Sequence, residues 1–373
     1  MSDTLVYRIA FASLRGINAV MARELMARLG SEEEFFRASR SQLAAIMGFR
    51  NRLMEPDYRH KMVEDARREA DFISANSINA VYYTDESYPD LLANCDDAPL
   101  MLYSLGDADL SPRYSIAVVG TRHATPYGLD FTDRLVKGLA ERVNGEVTVL
   151  SGLAYGVDVA AHKAAMRYGL PTIGVLAHGL NTIYPAVHRA VAADMVRQGG
   201  ALVTDYRSID AVHKGNFLAR NRIVAGMSHC LIVVESARKG GAMVTAKIAS
   251  GYCRDVFALP GRISDTYSQG CNRLITLCVA KLVQDVDDII EDMNWPLKEQ
   301  RVNADAQQSL FPSLSPDQEA VARYLGEHGE AQLNRLSVEL DIPVGRLMSA
   351  LIELEFQGLV TAFPGGTYRK AVP

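Results

Sequence analysis

Between Tyr114 and about Asp292 the chain repeats one unit: a short β-branched or aliphatic run, a glycine-bearing turn, then a helical run. The run 115–120 precedes a helix expected from Thr125, 146–152 precedes one from Val157, and 171–179 precedes one from Ala186. The rhythm continues through 201–206, 229–236, 255–261 and 280–285. Strands that are apolar on both faces and joined by helices require a parallel sheet covered on both sides, the doubly wound α/β arrangement. Such sheets bind ligands beyond the carboxyl ends of their strands. That is where this chain places Gly120-Thr-Arg122, Ser151 to Gly156, His178-Gly179 and Ser236 to Gly241.

At 373 residues the chain exceeds one ordinary domain. From Tyr7 to about Ala75 the pattern is helical, divided by Gly16, Gly30 and Gly48, which predicts a helical N-terminal domain over 1–80. Leu14 to Asn18 and Ala44 to Phe49 have the shape of helix-hairpin-helix modules, whose glycine turns offer N–H groups to a phosphate; a packed accessory domain is the alternative. The α/β domain is expected over 81–295, and a proline-broken polar linker over 296–314. The tail, 315–373, reads as an N-capped helix at Ser315, a second near Leu333 to Leu340, a third from Val344 to Gln357, and two strands about Gly365-Gly366. Three helices and a β-wing make a winged helix.

With 48% hydrophobic and 22% charged residues, the composition is that of a soluble globular protein. A net charge of -5 argues against general DNA coating, although affinity follows local patches. The five cysteines form no C-x-x-C pair, so a disulfide framework or metal site is not expected. Neither a secretory signal nor a run of the roughly 20 apolar residues a membrane helix needs is present, and a cytoplasmic, non-membrane protein is expected.

The stretch Lys214 to Arg222 joins three cations, Phe217 and Asn221 without an acid. Cations neutralise phosphates and an exposed ring stacks on an unpaired base, which are the components of single-strand binding. No G-x-x-x-x-G-K-[ST] loop and no G-x-G-x-x-G follows the first strand; Val119-Gly120-Thr121-Arg122 stands there instead. Four loops are expected to share one pocket: Gly120 to Arg122, Ser151-Gly152, Lys214 to Arg222, and Lys239-Gly240-Gly241. In it Arg122 and Arg222 would hold phosphates, Lys214 would act as a point charge, and Phe217 would stack a base. The plainer readings are turn chemistry for the glycines, core packing for Phe217, a salt bridge from Arg222 to Glu235 or Asp205, and a helix cap for Asp158. His162, His178, His188 and His213 show no metal spacing and read as structural.

These residues resemble the DNA-processing protein A family, also called DprA or Smf. The resemblance is carried by Tyr88 to Leu91, Pro99 to Tyr103, Val118 to Arg122, Ser151 to Asp158, Tyr184-Pro185, Phe217 to Ser228, Val234-Glu235, Gly240 to Ala246, Leu259 to Gly261 and Ser268 to Ile275. It implies an extended Rossmann-like sheet, an N-terminal helix-hairpin-helix or SAM-like domain and a C-terminal winged helix. It further implies a binder, not an enzyme, that takes single-stranded DNA, protects it and helps load the RecA recombinase during natural transformation, as a dimer joined through the Rossmann domain. No cofactor is expected. Carried over by position, the DNA site would use Arg122, Ser151, Gly152, Lys214, Phe217, Asn221, Arg222, Lys239, Gly240 and Gly241.

The chain departs from the family pattern at Tyr155, where arginine is usual, at Thr121 for serine, at Ala186 and His188 after Tyr-Pro, and at Gly240-Gly241 for Ser-Gly. The rival enzyme class is a nucleotide-binding Rossmann phosphoribohydrolase. Its P-G-G-x-G-T-x-x-E signature needs a glutamate that Gly240 to Lys247 does not supply. A transcription regulator is a third class, but the third tail helix has only Arg346 as a cation beside Glu353 and Glu355, so a protein-interaction or regulatory role is expected of it.

Overall fold

We describe residues 3–48, 52–298, 314–356, 358–363 and 365–370 of the computed structural model. They fall into two compact units, Met1–Lys298 and Glu299–Pro373. Residues 299–313 of the expected linker lie outside the described residues.

The N-terminal segment is helical, as its periodicity predicts: α1 (Asp3–Ala12), α2 (Ala19–Leu29), α3 (Glu32–Arg37), α4 (Arg40–Met47) and α5 (Pro56–Ala75). The three short helices α2, α3 and α4 each have a side-chain cap at the start. Asn18 accepts from the Met21 N–H at 2.9 Å, and Ser39 and Gln42 form a reciprocal capping box. Phe11 and Phe35 meet edge to face at 5.1 Å within a core shared with one face of the following sheet.

That sheet has nine strands in the order β1-β2-β6-β5-β4-β3-β7-β8-β9. The strands are β1 (Asn79–Tyr82), β2 (Met101–Gly106), β3 (Tyr114–Val119), β4 (Val147–Ser151), β5 (Thr172–Val175), β6 (Ala201–Thr204), β7 (Cys230–Val233), β8 (Asp255–Ala258) and β9 (Lys281–Leu282). From β3 to β9 all pairs are parallel, while β1 and β2 add antiparallel at one edge. The sequence pattern starts the sheet at Tyr114 and does not show these two strands, because the only helix between them has four residues, too short to mark the rhythm. α6 (Asp90–Ala93), α7 (Pro126–Arg142), α8 (Val157–Arg167), α9 (Arg189–Arg197), α10 (Lys214–Gly226), α11 (Gly241–Gly251), α12 (Gln269–Thr276) and α13 (Val286–Asp292) complete the unit. Strand β3 is buried throughout: Ile116 and Val118 join the core under α7 and α8, while Ala117 and Val119 join the one under α10 and α11.

The chain runs outward from β3 to β4, β5 and β6, then α10 carries it back to β7 on the other side of β3. Pairing Val119 with Val233 sets the carboxyl ends of β3 and β7 side by side. This reversal of strand order opens a crevice between the loops that leave the two strands.

The second unit contains α14 (Pro316–His328), β10 (Glu330–Gln332), α15 (Leu333–Glu339), α16 (Val344–Phe356), β11 (Val360–Phe363) and β12 (Thr367–Lys370). β12 pairs with both β10 and β11, and Val321, Leu325, Leu336, Leu347, Leu351 and Leu354 fill its own core. It is a winged helix. Ser315 caps α14 in a box with Gln318, as expected from its sequence. Among the described residues no helix is long and apolar enough to cross a membrane.

Candidate nucleic-acid interface

The crevice at the end of β3 and β7 has a volume of about 340 Å³. Its floor depends on glycine. A side chain at Gly120 would place Cβ 2.8 Å from Val157 Cβ, and one at Gly156, where φ is +76°, would run into the Thr121 carbonyl. These close approaches let the loop after β3 lie against the start of α8, with Thr121 N–H donating to Glu235 O at 2.6 Å and Val157 N–H to Thr121 O at 3.3 Å. Glu235 is itself buried and accepts from Thr125 N at 2.8 Å and from Thr125 Oγ1 at 2.6 Å, which locks the loop to the start of α7.

Behind the floor lies a buried opposite-charge pair of residues. Asp158, 7% exposed, accepts from the N–H groups of Gly152 at 3.1 Å and Ala154 at 3.4 Å. Burial raises its pKa above the ordinary carboxylate value, against the opposing pull of the Arg220 charge and those two N–H groups. Arg220, 5% exposed, donates Nη1–H to the Val175 carbonyl, and burial lowers its pKa. Its Nε has no partner. A desolvated guanidinium in the wall of a crevice favours an anion placed in that crevice.

The upper rim carries the rings and the exposed cations. The Arg122 guanidinium lies over the Phe217 ring at 5.8 Å, and Phe217 meets the half-exposed Tyr184 ring edge to face at 5.4 Å. His123 stacks on Tyr267 at 5.9 Å. Opposite, Gly240 and Gly241 open α11 beside Ser236 and Thr245, so the positive end of that helix adjoins the crevice. Gly240 has no space for a side chain, since Cβ would meet Ser236 Oγ.

Of the ten residues the sequence reading assigns to DNA, the structure gathers Arg122, Phe217, Asn221, Gly240 and Gly241 around one crevice. Lys214 is exposed one helical turn before Phe217, and Lys239 is exposed beside Gly240; neither lines the crevice itself. Ser151 is fully buried, with its hydroxyl donating to Val118 O at 2.6 Å, and Gly152 backs against the Arg220 guanidinium. These two shape the wall from behind. Arg222 points elsewhere: it forms an ion pair with Asp205 at 2.5 Å, donates to the Asp97 carbonyl, and lines a separate cleft with Arg15 and Asn18. The plainer alternative, a salt bridge to Asp205, is the one the structure holds. Helical geometry explains the split, because Phe217, Arg220 and Asn221 are spaced i, i+3, i+4 and Arg222 lies off that face. The same spacing is the signal that would have put Arg220 in the site from sequence. Asp158 lines the crevice as well as tying down the 152–154 loop, Ser236 lines it from the loop expected at the end of β7, and His123 and Tyr267 are crevice residues that no sequence spacing marks. Tyr155, at the family's arginine position, is exposed and meets His188 edge to face at 5.1 Å.

The reversed-order parallel sheet, with a crevice rimmed by an arginine, open rings and a helix N-terminus, defines a Rossmann-like protein. Comparison with known proteins narrows this class. The model of the family described as DNA recombination-mediator protein A matches residues 79–294, and that of the DprA winged helix domain matches 304–366. The chain belongs to the DNA-processing protein A (DprA/Smf) family. It is 37% identical to protein Smf of Escherichia coli over 290 residues, 76% of this chain and 75% of that protein. Its fold matches DprA of Streptococcus pneumoniae with a TM-score of 0.65 and 29% identity, over 78% of this chain and 98% of that one. It also matches DNA processing protein A of Helicobacter pylori, whose structure describes a single-stranded DNA binding mode, with a TM-score of 0.53 and 30% identity, over 60% and 99% of the two chains.

Proposed function

We propose that this protein binds single-stranded DNA in the switch-point crevice, protects it, and helps load RecA on it, acting in the cytoplasm as a dimer joined through the Rossmann-like domain and catalysing no reaction. The observation that carries the reading is the Arg122 guanidinium over the Phe217 ring, beside the N-terminus of α11. It combines a phosphate-binding cation, a stacking ring and backbone dipoles in one place, and none of the three reads base identity. Slight sequence preference follows. Phe217 and Asn221 face the strand from α10, Gly240 and Gly241 from the start of α11, Arg220 adds charge from the wall, and Lys214 and Lys239 extend the positive rim.

Fluorescence anisotropy with a labelled single-stranded oligonucleotide, across a salt series and with duplex competitor, tests this. Single-strand preference that weakens with salt and on Arg122→Ala supports the crevice, whereas Arg122→Ala binding as wild type places the strand elsewhere. Loading is tested by the rate of RecA filament growth on strands coated with a single-strand binding protein, which this protein is expected to raise. No acceleration would remove that part of the reading. Asp158 is the carboxylate that a catalytic reading would use, yet it is committed to the Gly152 and Ala154 N–H groups. Free base released from a nucleoside monophosphate would nevertheless bring the phosphoribohydrolase alternative forward.

The winged helix supports a protein-interaction role rather than groove reading. On α16, Val344, Met348, Ile352 and Phe356 are exposed at i, i+4, i+8 and i+12, and Arg346 is held by Asp317 through bonds of 2.6 to 2.9 Å. Deletion after Pro312 is expected to leave single-strand affinity within about twofold; its loss would contradict this assignment.

A further inference from the structure

Tyr267 borders two clefts. On one side it closes the switch-point crevice, and on the other it walls a second depression between the start of α7 and the loop after β8, with Tyr127, Pro260 and Arg262. Tyr267 is thus common to the two linings. His123, stacked on Tyr267 at an interplanar angle of 26°, extends that aromatic surface from the crevice side.

Tyr127 is the distinctive residue of the second cleft. It is 48% exposed, yet its hydroxyl donates to the Pro260 carbonyl at 2.8 Å, so an open ring is held at a fixed place. A ring already fixed loses little freedom when a base stacks on it. Arg262 is exposed and has no ion pair among the described residues. The acids nearby are Glu235, whose two oxygens are taken by Thr125, and Asp265, which accepts from Ser264 Oγ at 3.3 Å. With one exposed cation, Arg262, against two acids, Glu235 and Asp265, the cleft suits the flat face of a base more than a dense row of phosphates.

We infer that the single-strand track continues beyond the crevice: a strand with one base at Phe217 passes His123 and Tyr267, stacks a further base on Tyr127, and sets a phosphate near Arg262. This rests on the crevice being the single-strand site. Anisotropy with oligothymidylates of about six and about sixteen nucleotides separates the two ideas. Tyr127→Ala is expected to bind the short probe like wild type and the long probe about tenfold more weakly. Tyr127→Phe, which keeps the ring, should stay near wild type on both, and Arg262→Ala should lower the salt dependence of long-probe binding only. Long-probe binding unchanged in Tyr127→Ala and Arg262→Ala would overturn the extension, as would Tyr127→Phe falling as far as Tyr127→Ala. The crevice is judged separately, by loss of short-probe binding in Arg122→Ala; if that variant keeps the short probe, both ideas fall. Because Tyr127 and Arg262 are surface residues, retained short-probe binding also reports that each variant is folded.

Discussion

Arg122, in the loop after β3, and Phe217, on α10, stand 95 residues apart in sequence and meet as a cation over a ring, 5.8 Å from guanidinium carbon to centroid. The two halves of that contact answer to different variables. Phe217→Ala is expected to weaken single-strand binding by about 1–3 kcal/mol with no change in salt dependence, because stacking releases no counterion. Arg122→Ala should reduce the slope of log affinity against log salt by about 0.7, the share of one phosphate on a single strand. Equal slopes in wild type and Arg122→Ala would remove the arginine from the phosphate path.

Arg222 is expected to act on stability. Its side chain and that of Asp205 are 19% and 14% exposed, so Arg222→Ala leaves a desolvated carboxylate without its cation, at a cost of about 2–3 kcal/mol. Urea denaturation reads that loss. Binding by the folded fraction should change less than in Lys214→Ala, whose cation stands exposed on the face of Phe217. A variant of full stability with lost binding would reverse this assignment.

Gly152 tests the wall. A methyl group there would occupy the place of the Arg220 guanidinium, which is buried and tied to the Val175 carbonyl. Gly152→Ala is expected to destabilise the fold by about 2 kcal/mol through overpacking and to weaken single-strand binding by displacing Arg220. Gly241→Ala, with open space at its Cβ, should cost far less. Similar melting temperatures for the two would show that the wall yields.

His162 sets an acid limit. It is fully buried, its Nδ1 bonds Thr172 Oγ1 at 2.7 Å, its Nε2 has no partner, and burial pushes its pKa down to about 3. A folded value below the unfolded one means stability is present above about pH 6.5 and is lost as pH falls toward 3. The loss reaches about 2 kcal/mol at pH 5. Comparing wild type with His162→Gln at pH 7 and pH 5 isolates it: the wild type should lose about 2 kcal/mol more than the variant. Parallel losses would show that His162 takes up a proton without cost.

Much of the architecture was legible because it is written locally. The β-run and helix rhythm predicts the parallel strands from β3 onward, Thr125 and Ser315 start helices where their side chains cap the first turn, and Gly30 and Gly48 adopt the positive φ that ends a helical run, while Gly16 takes it in the turn between α1 and α2. β1 and β2 escaped, since antiparallel strands at the margin of a sheet are specified by their neighbours and only the four-residue α6 separates these two.

Fold class, the winged-helix tail and the loops that leave the carboxyl ends of the strands can be read from the sequence, because periodicity, capping and turn chemistry act between residues a few positions apart. Which side chains face the crevice follows from long-range packing. Arg220 and Arg222 are two residues apart on one helix, with the same charge, and sequence composition treats them alike. Helical twist sends Arg220 into the wall beside Asp158 and Arg222 to Asp205, and the acid that each one meets is set by strand order, which brings β4, β6 and α10 together from distant parts of the chain.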